Sequence, residues 1–338
     1  MVNNKDFQKA VELIEKSGNI LLTTHIKPDG DACGCLAAMY DVLTTLNKTV
    51  KLILPSEPPE WYEFLFTEKV PVLGKDVTLE QLKQGQFAKP DLIVLIDVNT
   101  YSQLPKFDEF LKQNDKTVLV IDHHVTTDGI GDVELVDTSA AATALIIYDL
   151  LKYANWPVSE KIAQSIFVAV ATDTGWFQFS NTDSAVFRTC ADLIESGVNP
   201  TEIYHDLYQS FSPQRFRLMG AMLNTLELHL NGRFATQYLL QADFEQTGAT
   251  FKDTENLIDE CRRISTVETA ALFVELPDGR VKCSLRSRGT IDVRKIAKKF
   301  DGGGHTTAAG AHLPGPLKDA KQLILAEMEE QFKQLNNQ

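Results

Sequence analysis

The 338-residue chain reads as an α/β protein: an N-terminal parallel sheet with helices on both faces, followed by a smaller mixed α/β domain. Three observations predict this. Short apolar runs rich in β-branched residues, at 20–24, 92–96 and 117–121, alternate with longer stretches of helical period, as a helix-covered parallel sheet requires. From Arg233 onward the pattern changes to strands joined by a tight turn with helices between them. The length also exceeds what one hydrophobic core ordinarily serves.

Taken in order, residues 7–15 form an amphipathic helix, 20–24 the first strand, 32–46 a helix and 50–54 a second strand. Strands follow at 92–96 and 118–121 with polar connections, then helical patterns at 140–153, 159–172 and 183–196. Residues 213–230 read as one long connecting helix, which sets the domains at 1–212 and 231–338. In the second domain, strands are expected at 234–240, 270–276 and 282–285, with Pro277-Asp278-Gly279-Arg280 as a hairpin turn. Helices are expected at 255–263, 292–300 and 318–332.

The chemistry lies at the ends of these apolar segments. His25, Asp29 and Asp31 follow the first strand, Asp97 follows the run 92–96, and Asp122, His123 and His124 follow the run 117–121. Asp173 follows the apolar stretch 166–171, read here as a fourth strand-like terminus. The carboxyl ends of the strands are where open parallel sheets bind ligands. Piece by piece the signals are ordinary: an Asp after a strand commonly caps a helix, and Pro28-Asp29-Gly30 alone is a turn. Asp29-Gly30-Asp31 also resembles the start of a calcium loop, but Cys33 and Tyr40 stand where Asp or Asn and then Glu belong. Together, His25, Asp29, Asp31, Asp97, His123 and Asp173 suit two divalent cations, with Asp97 as a bridging carboxylate.

Composition narrows the partners. The net charge of −13 leaves no extended basic surface for gripping long nucleic acid, whereas a short anionic substrate held by cations and a few basic groups is compatible. No apolar run approaches the ~20 residues of a membrane span, and nothing at the start resembles a signal peptide, so a cytoplasmic location is expected. Five cysteines without framework spacing fit a reducing compartment. Cys33 and Cys35 are expected to pack as small residues in the helix after the first motif.

The ordered motifs resemble the DHH phosphoesterase family. Its title motif is Asp122-His123-His124, its first motif runs from His25 to Asp31, its second is Asp97 before Val-Asn, and its fourth is Asp173 in Thr-Asp-Thr-Gly. The run Gly302-Gly303-Gly304-His305-Thr306-Thr307-Ala308-Ala309-Gly310 is similar to the signature of the DHH-associated substrate domain. Within the family the chain is most similar to the short two-domain group of oligoribonucleases that are also phosphoadenosine-phosphate phosphatases. The resemblance implies a hydrolase that cuts very short single-stranded RNA to mononucleotides and converts 3′-phosphoadenosine 5′-phosphate (pAp) to AMP and phosphate. Hydrolysis of cyclic or linear dinucleotides is the alternative it leaves open. Two divalent cations, manganese by preference, are implied: one held by His25, Asp29 and Asp97, the other by Asp31, Asp97, His123 and Asp173. His124 would contact the substrate phosphate, and Asp122 would orient an imidazole.

The resemblance assigns substrate grip to Arg286, Ser287, Gly303, Gly304 and His305, with Arg262 and its neighbour Arg263 as further candidates. No long duplex and no membrane is expected as partner, and a homodimer is compatible with the reading. The inorganic pyrophosphatases of the superfamily lack the triple-glycine motif, and its single-strand exonucleases carry an additional domain. A nucleotide sensor without catalysis is a different class, disfavoured by the complete ligand set. Two departures stand out: Cys35 replaces a common Ser, and Thr143-Ala144-Leu145 replaces Thr-Gly-Glu. Neither is expected to touch a ligand, so activity should survive while substrate preference shifts.

Overall fold

The computed structural model describes residues 2–113, 115–304 and 306–336. The chain divides into two units, Met1–Ser210 and Phe211–Gln338. In the first, five parallel strands form one sheet: β1 (Asn19–Thr23), β2 (Thr49–Leu52), β3 (Leu92–Ile96), β4 (Thr117–Asp122) and β5 (Val133–Val136), in the order β2-β1-β3-β4-β5. The helices are α1 (Asn4–Lys16), α2 (Gly30–Thr45), α3 (Leu79–Lys83), α4 (Phe107–Lys112), α5 (Thr143–Ala154), α6 (Glu160–Asp173), α7 (Ser184–Glu195) and α8 (Pro200–Tyr208).

The strands are apolar throughout because both faces are covered. Ile20, Leu22, Val94 and Ile96 point into one core with α1, α2, α5 and α6. The alternate residues Leu21, Ile93, Leu95 and Val120 point into a second core with Leu82 of α3 and Phe107 and Phe110 of α4. All strands being parallel, β1, β3 and β4 end along one edge, and the loops that follow them carry the first three motifs.

The edge strand β5 and the helix α8 are absent from the sequence reading. For the segment before Asp173 the helical pattern at 159–172 holds and the strand-like terminus does not: Asp173 is the last residue of helix α6. Six apolar residues in a row do not separate a buried strand from a buried helix, and α6 is buried without a break from Ser165 to Ala171.

The second unit contains α9 (Pro213–Asn224), β6 (Glu227–His229), β7 (Phe234–Leu239), α10 (Gln241–Thr247), β8 (Thr269–Glu275), β9 (Val281–Ser287), α11 (Val293–Lys298), β10 (Gly303–Gly304), β11 (Ala308–Leu313) and α12 (Leu317–Asn336). Its sheet runs β10-β11-β9-β8-β7-β6, with β7 and β8 parallel and the other pairs antiparallel. One face packs Phe234 and Phe273 against Ile324 and Met328 of α12, and the other packs Ala235 and Leu272 against Leu218 and Met222 of α9.

The long helix expected over 213–230 stops at Asn224. The Thr225 hydroxyl donates to the carbonyl of Met222 at 2.7 Å and accepts the N–H of Tyr238 at 2.8 Å, so the chain turns into β6 there. The apolar spacing beyond that point, Leu226, Leu228 and Leu230, has period two. Residues 257–263 form a 3₁₀ turn where the spacing predicts an α-helix. Among the described residues no helix is long and apolar enough to cross a membrane.

Candidate active site

The sheet edge gathers the first motifs, and α6 supplies the remaining carboxylate. Helix α2 approaches α6 so closely that a Cβ on Gly30 would fall 2.2 Å from the Thr172 hydroxyl oxygen, and one on Gly34 would fall 2.4 Å from the Ser165 carbonyl. Glycines at these two positions let the start of α2, with Asp29 and Asp31, lie beside Asp173. Asp97 follows β3 with φ of +59°, a left-handed conformation uncommon outside glycine that occurs at sites held by their surroundings.

The side chains converge. His25 Nε2 lies 3.5 Å from Asp97 Oδ2 and 3.9 Å from Asp29 Oδ1. His123 Nε2 lies 3.7 Å from Asp97 Oδ1, 3.8 Å from Asp173 Oδ2 and 4.0 Å from Asp31 Oδ2. Each of these rings donates its Nδ1–H to a backbone carbonyl, His25 to Ile26 at 2.9 Å and His123 to Ala140 at 3.1 Å. That tautomer turns the Nε2 lone pair of both toward the carboxylates.

His124 is set differently. Its Nδ1 donates to Asp122 Oδ1 at 2.7 Å, its side chain is about half exposed, and Asp122 is fully buried. The Asp122 hydrogen bond pushes its pKa up to about 9.

Burial dominates the electrostatics of the carboxylates. It raises the pKa of Asp31 and of Asp97, and Asp97 rises further because Asp31 and Asp29 face it. Burial, then Asp31 and Asp29, push Asp173 up to about 8. Among the described residues these acids form ion pairs with histidines and with no Lys or Arg.

A cation fits this cluster. His25, Asp29 and Asp97 form one triad and Asp31, His123 and Asp173 another, each with donor atoms within 4.8 Å of one another, and Asp97 also reaches His123. Donor atoms each about 2.1 Å from a shared ion lie roughly 3–4 Å apart. Crowded buried acids without a basic partner are what a divalent ion neutralises.

Both departures from the family pattern prove to touch the cluster, which corrects the expectation that neither meets a ligand: Thr143, Ala144 and Cys35 all donate to its acids. The Thr143 and Ala144 N–H groups, at the start of α5, donate to Asp31 Oδ2 and Oδ1 at 2.6 and 3.2 Å. The Thr143 hydroxyl donates to Asp97 Oδ1 at 2.8 Å, and the Cys35 thiol to Asp31 Oδ1 at 3.1 Å. A helix N-terminus is a natural carboxylate cap, and the Thr at the head of an apolar helix was the available signal. Cys33 and Cys35 are buried in the core as expected.

In the second unit, Asp259 lies between two of the expected residues: Arg262 Nη1 donates to its Oδ1 at 2.7 Å, and Arg286 Nε stands 3.8 Å from the same oxygen. Arg263 is exposed and pairs with Glu260. Ser287 is buried and its hydroxyl accepts the N–H groups of Gly289 and Ile291, so it shapes the loop. Gly303 is exposed with nothing within 4 Å of its Cβ position among the described residues, whereas a Cβ on Gly304 would meet the Ala308 carbonyl at 2.4 Å. His305 lies outside the described residues.

Residues 19–172 match the DHH family, N-terminal domain, and residues 231–334 match the DHHA1 domain. A Thermus thermophilus protein named bifunctional oligoribonuclease and PAP phosphatase NrnA is 33% identical over 330 residues, covering 96% of this chain and 92% of the relative. The chain belongs to the DHH family. In fold it is similar to an exopolyphosphatase-related protein from Bacteroides fragilis, with a TM-score of 0.91 at 21% identity and 99% of each chain covered. It is more distantly similar to an exonuclease RecJ solved bound to manganese, with a TM-score of 0.54 at 15% identity, covering 97% and 94% of the two chains. The DHH match ends one residue before Asp173, and the DHHA1 match spans Arg262, Arg286 and the glycine run.

Proposed function

We propose that this DHH protein is a metal-dependent phosphoesterase that hydrolyses very short RNA to mononucleotides and pAp to AMP and phosphate. The observation that carries the reading is the convergence of His25, Asp29, Asp31, Asp97, His123 and Asp173 with both imidazole Nε2 atoms facing the acids. The name of the Thermus thermophilus relative supports the substrate class, and the manganese in the RecJ structure supports the metal. In this reading His25, Asp29 and Asp97 hold one ion and Asp31, Asp97, His123 and Asp173 the other.

Such an ion pair, when bound, supplies Lewis acidity at a phosphoryl oxygen and lowers the pKa of attacking water. The protein's own groups do the rest. His124, kept charged by Asp122, offers its remaining N–H to a phosphate oxygen on the exposed side of the cluster. Thr143 and the start of α5 fix the buried carboxylates of Asp31 and Asp97 so that the ligand geometry does not have to be assembled during the reaction. The reading also assigns substrate binding within the second unit to Arg262, Arg286 and the exposed Gly303.

The reading carries with it a catalytic role for residues 1–212, a substrate-binding role for 231–338, and a homodimeric assembly. It also includes exclusion of long duplex nucleic acid, for which the net charge of −13 is the support. A cytoplasmic location suits five cysteines that are all buried and free.

The test is a substrate panel at fixed manganese: RNAs of two to five nucleotides, pAp, cyclic dinucleotides, pyrophosphate and a long duplex RNA. Turnover of dinucleotide and pAp is expected, falling at least ~1,000-fold, roughly 4 kcal/mol, in Asp97→Ala. Binding without turnover by the intact protein would make it a sensor and overturn the reading.

A further inference from the structure

The segment after Asp173 contains three aromatic residues, Trp176, Phe177 and Phe179, and two of them are accounted for by packing. Trp176 lies 5.0 Å from the Tyr204 ring, 5.8 Å from Tyr208 and 6.1 Å from Phe167. Phe177 stacks on Phe187 at 5.5 Å and also meets Phe167. Phe179 has no ring partner among the described residues and is 57% exposed.

Its position is nevertheless fixed. Gly175, Trp176 and Phe177 take successive positive φ values of 56°, 56° and 65°, which folds the chain back. The Phe179 N–H donates to the Thr174 carbonyl at 3.0 Å, and its own carbonyl accepts the N–H of Thr182 at 3.1 Å. Asn181 Nδ2 donates to the carbonyls of Asp173 and Ala141, tying the loop to the metal-ligand segment. The distal edge of the Phe179 ring rests over Gly175, where a Cβ would come within 2.4–2.6 Å of three ring carbons. Gly175 is two Cα–Cα steps of 3.8 Å from Asp173, so the edge of that ring lies within roughly 12 Å of the Asp173 backbone at most. A nucleotide whose phosphate lies at the Asp173 carboxylate therefore has this ring among its nearest exposed neighbours.

We infer that Phe179 is a stacking platform for a nucleobase of the substrate whose phosphate lies at the Asp31–His123–Asp173 cluster. A rigid exposed ring suits this role because its π-face accepts any base and little side-chain freedom is left to lose on binding. The site therefore selects for a nucleotide over a bare phosphoester without selecting among bases. The inference rests on the phosphoesterase reading for the identity of its ligand, and it adds how that ligand is distinguished from other phosphates.

Two measurements test it. Steady-state kinetics compare pAp with ribose 3,5-bisphosphate, which carries the same phosphates without the base. Phe179→Leu should raise KM for pAp about tenfold with kcat within twofold, leave the base-free bisphosphate unchanged, and be rescued by Phe179→Trp. Separately, a dinucleotide of 2-aminopurine in calcium buffer should be quenched on binding the wild-type protein and Phe179→Trp, and not Phe179→Leu. Equal losses on both phosphates, or undiminished quenching in Phe179→Leu, overturn the inference. A wild-type protein that quenches the probe but hydrolyses neither phosphate leaves stacking intact and sinks the phosphoesterase reading. A changed sedimentation mass in Phe179→Leu with unchanged quenching makes the ring a contact between copies, and also overturns it.

Discussion

Replacing Thr143 by Val tests whether the start of α5 shapes the metal cluster. Val keeps the β-branch and nearly the volume of Thr, and the backbone N–H that caps Asp31 is untouched. What disappears is the hydroxyl 2.8 Å from Asp97 Oδ1. Asp97 is 1% exposed, and its ion-pair partners among the described residues are imidazole nitrogens at 3.5–3.7 Å, too distant for a strong hydrogen bond. A hydrogen bond to a charged group is worth about 1.5–3 kcal/mol, or ~10- to 150-fold in an equilibrium constant. Loss of a partner that orients a ligand typically costs roughly 10- to 100-fold in metal affinity, which is the same range. Calorimetric titration of the metal-free protein with manganese should show Kd rising ~10-fold or more in Thr143→Val and staying within about threefold in Thr143→Ser. A Kd within twofold of wild type in Thr143→Val would refute the claim that Thr143 positions Asp97.

Two further outcomes follow from the same geometry. Asp173, raised to about 8 by burial and by Asp31 and Asp29, keeps its proton in the folded chain far above its unfolded value, so stability falls as pH climbs from about 4 toward 8. His124, raised to about 9 by its hydrogen bond to Asp122, adds stability below about pH 6.5 that is lost as pH rises through 9. Both signs agree: the metal-free protein should melt lower at pH 8 than at pH 5, and manganese should raise Tm more at pH 8. A manganese increment that is flat across this range would contradict it. Gly30→Ala should cost about 1–3 kcal/mol, because the new Cβ meets the β-branched Thr172 at 2.2–2.7 Å and neither helix backbone can yield cheaply. Thermal melting should show a drop of several degrees, and an unchanged Tm would mean that the α2–α6 contact is loose.

The parallel sheet was legible because each central strand is a short apolar run with no polar face to alternate against, as in Leu92–Ile96. The edge strand Val133–Val136 was not, since its four residues include Glu134 and carry no distinctive pattern. Of the cluster, the residues following β1, β3 and β4 could be read because strand termini announce where side chains emerge. Asp173 was found for the wrong local reason, as a strand end, and belongs at the end of a helix. Thr143 was marked in the sequence only by its place near the start of an apolar helix, which does not name its partners. It meets Asp31 across 112 residues and Asp97 across 46, and only the folded chain brings those positions together. Cys35 was closer to hand: it stands one helical turn after Asp31 on α2, a spacing that puts the two side chains on one face.

The placement of donors explains how a fold tolerates so much buried acid. Asp31 and Asp97 are each 1% exposed and face one another, an arrangement that burial and repulsion both oppose. Each is nonetheless fixed by donors that carry no full positive charge: two helix N-terminal N–H groups and a thiol for Asp31, a hydroxyl for Asp97. Neutral donors orient a carboxylate without cancelling its charge, whereas a Lys or Arg in the same place would satisfy the acid and compete with a cation. The energetic cost is offset by the surrounding core, where Leu36, Met39, Phe167 and Ile166 are almost completely buried around α2 and α6. A cluster held this way is shaped by the fold in advance and leaves its acids open to a cation, which is why its stability and its chemistry should respond together to manganese and to pH.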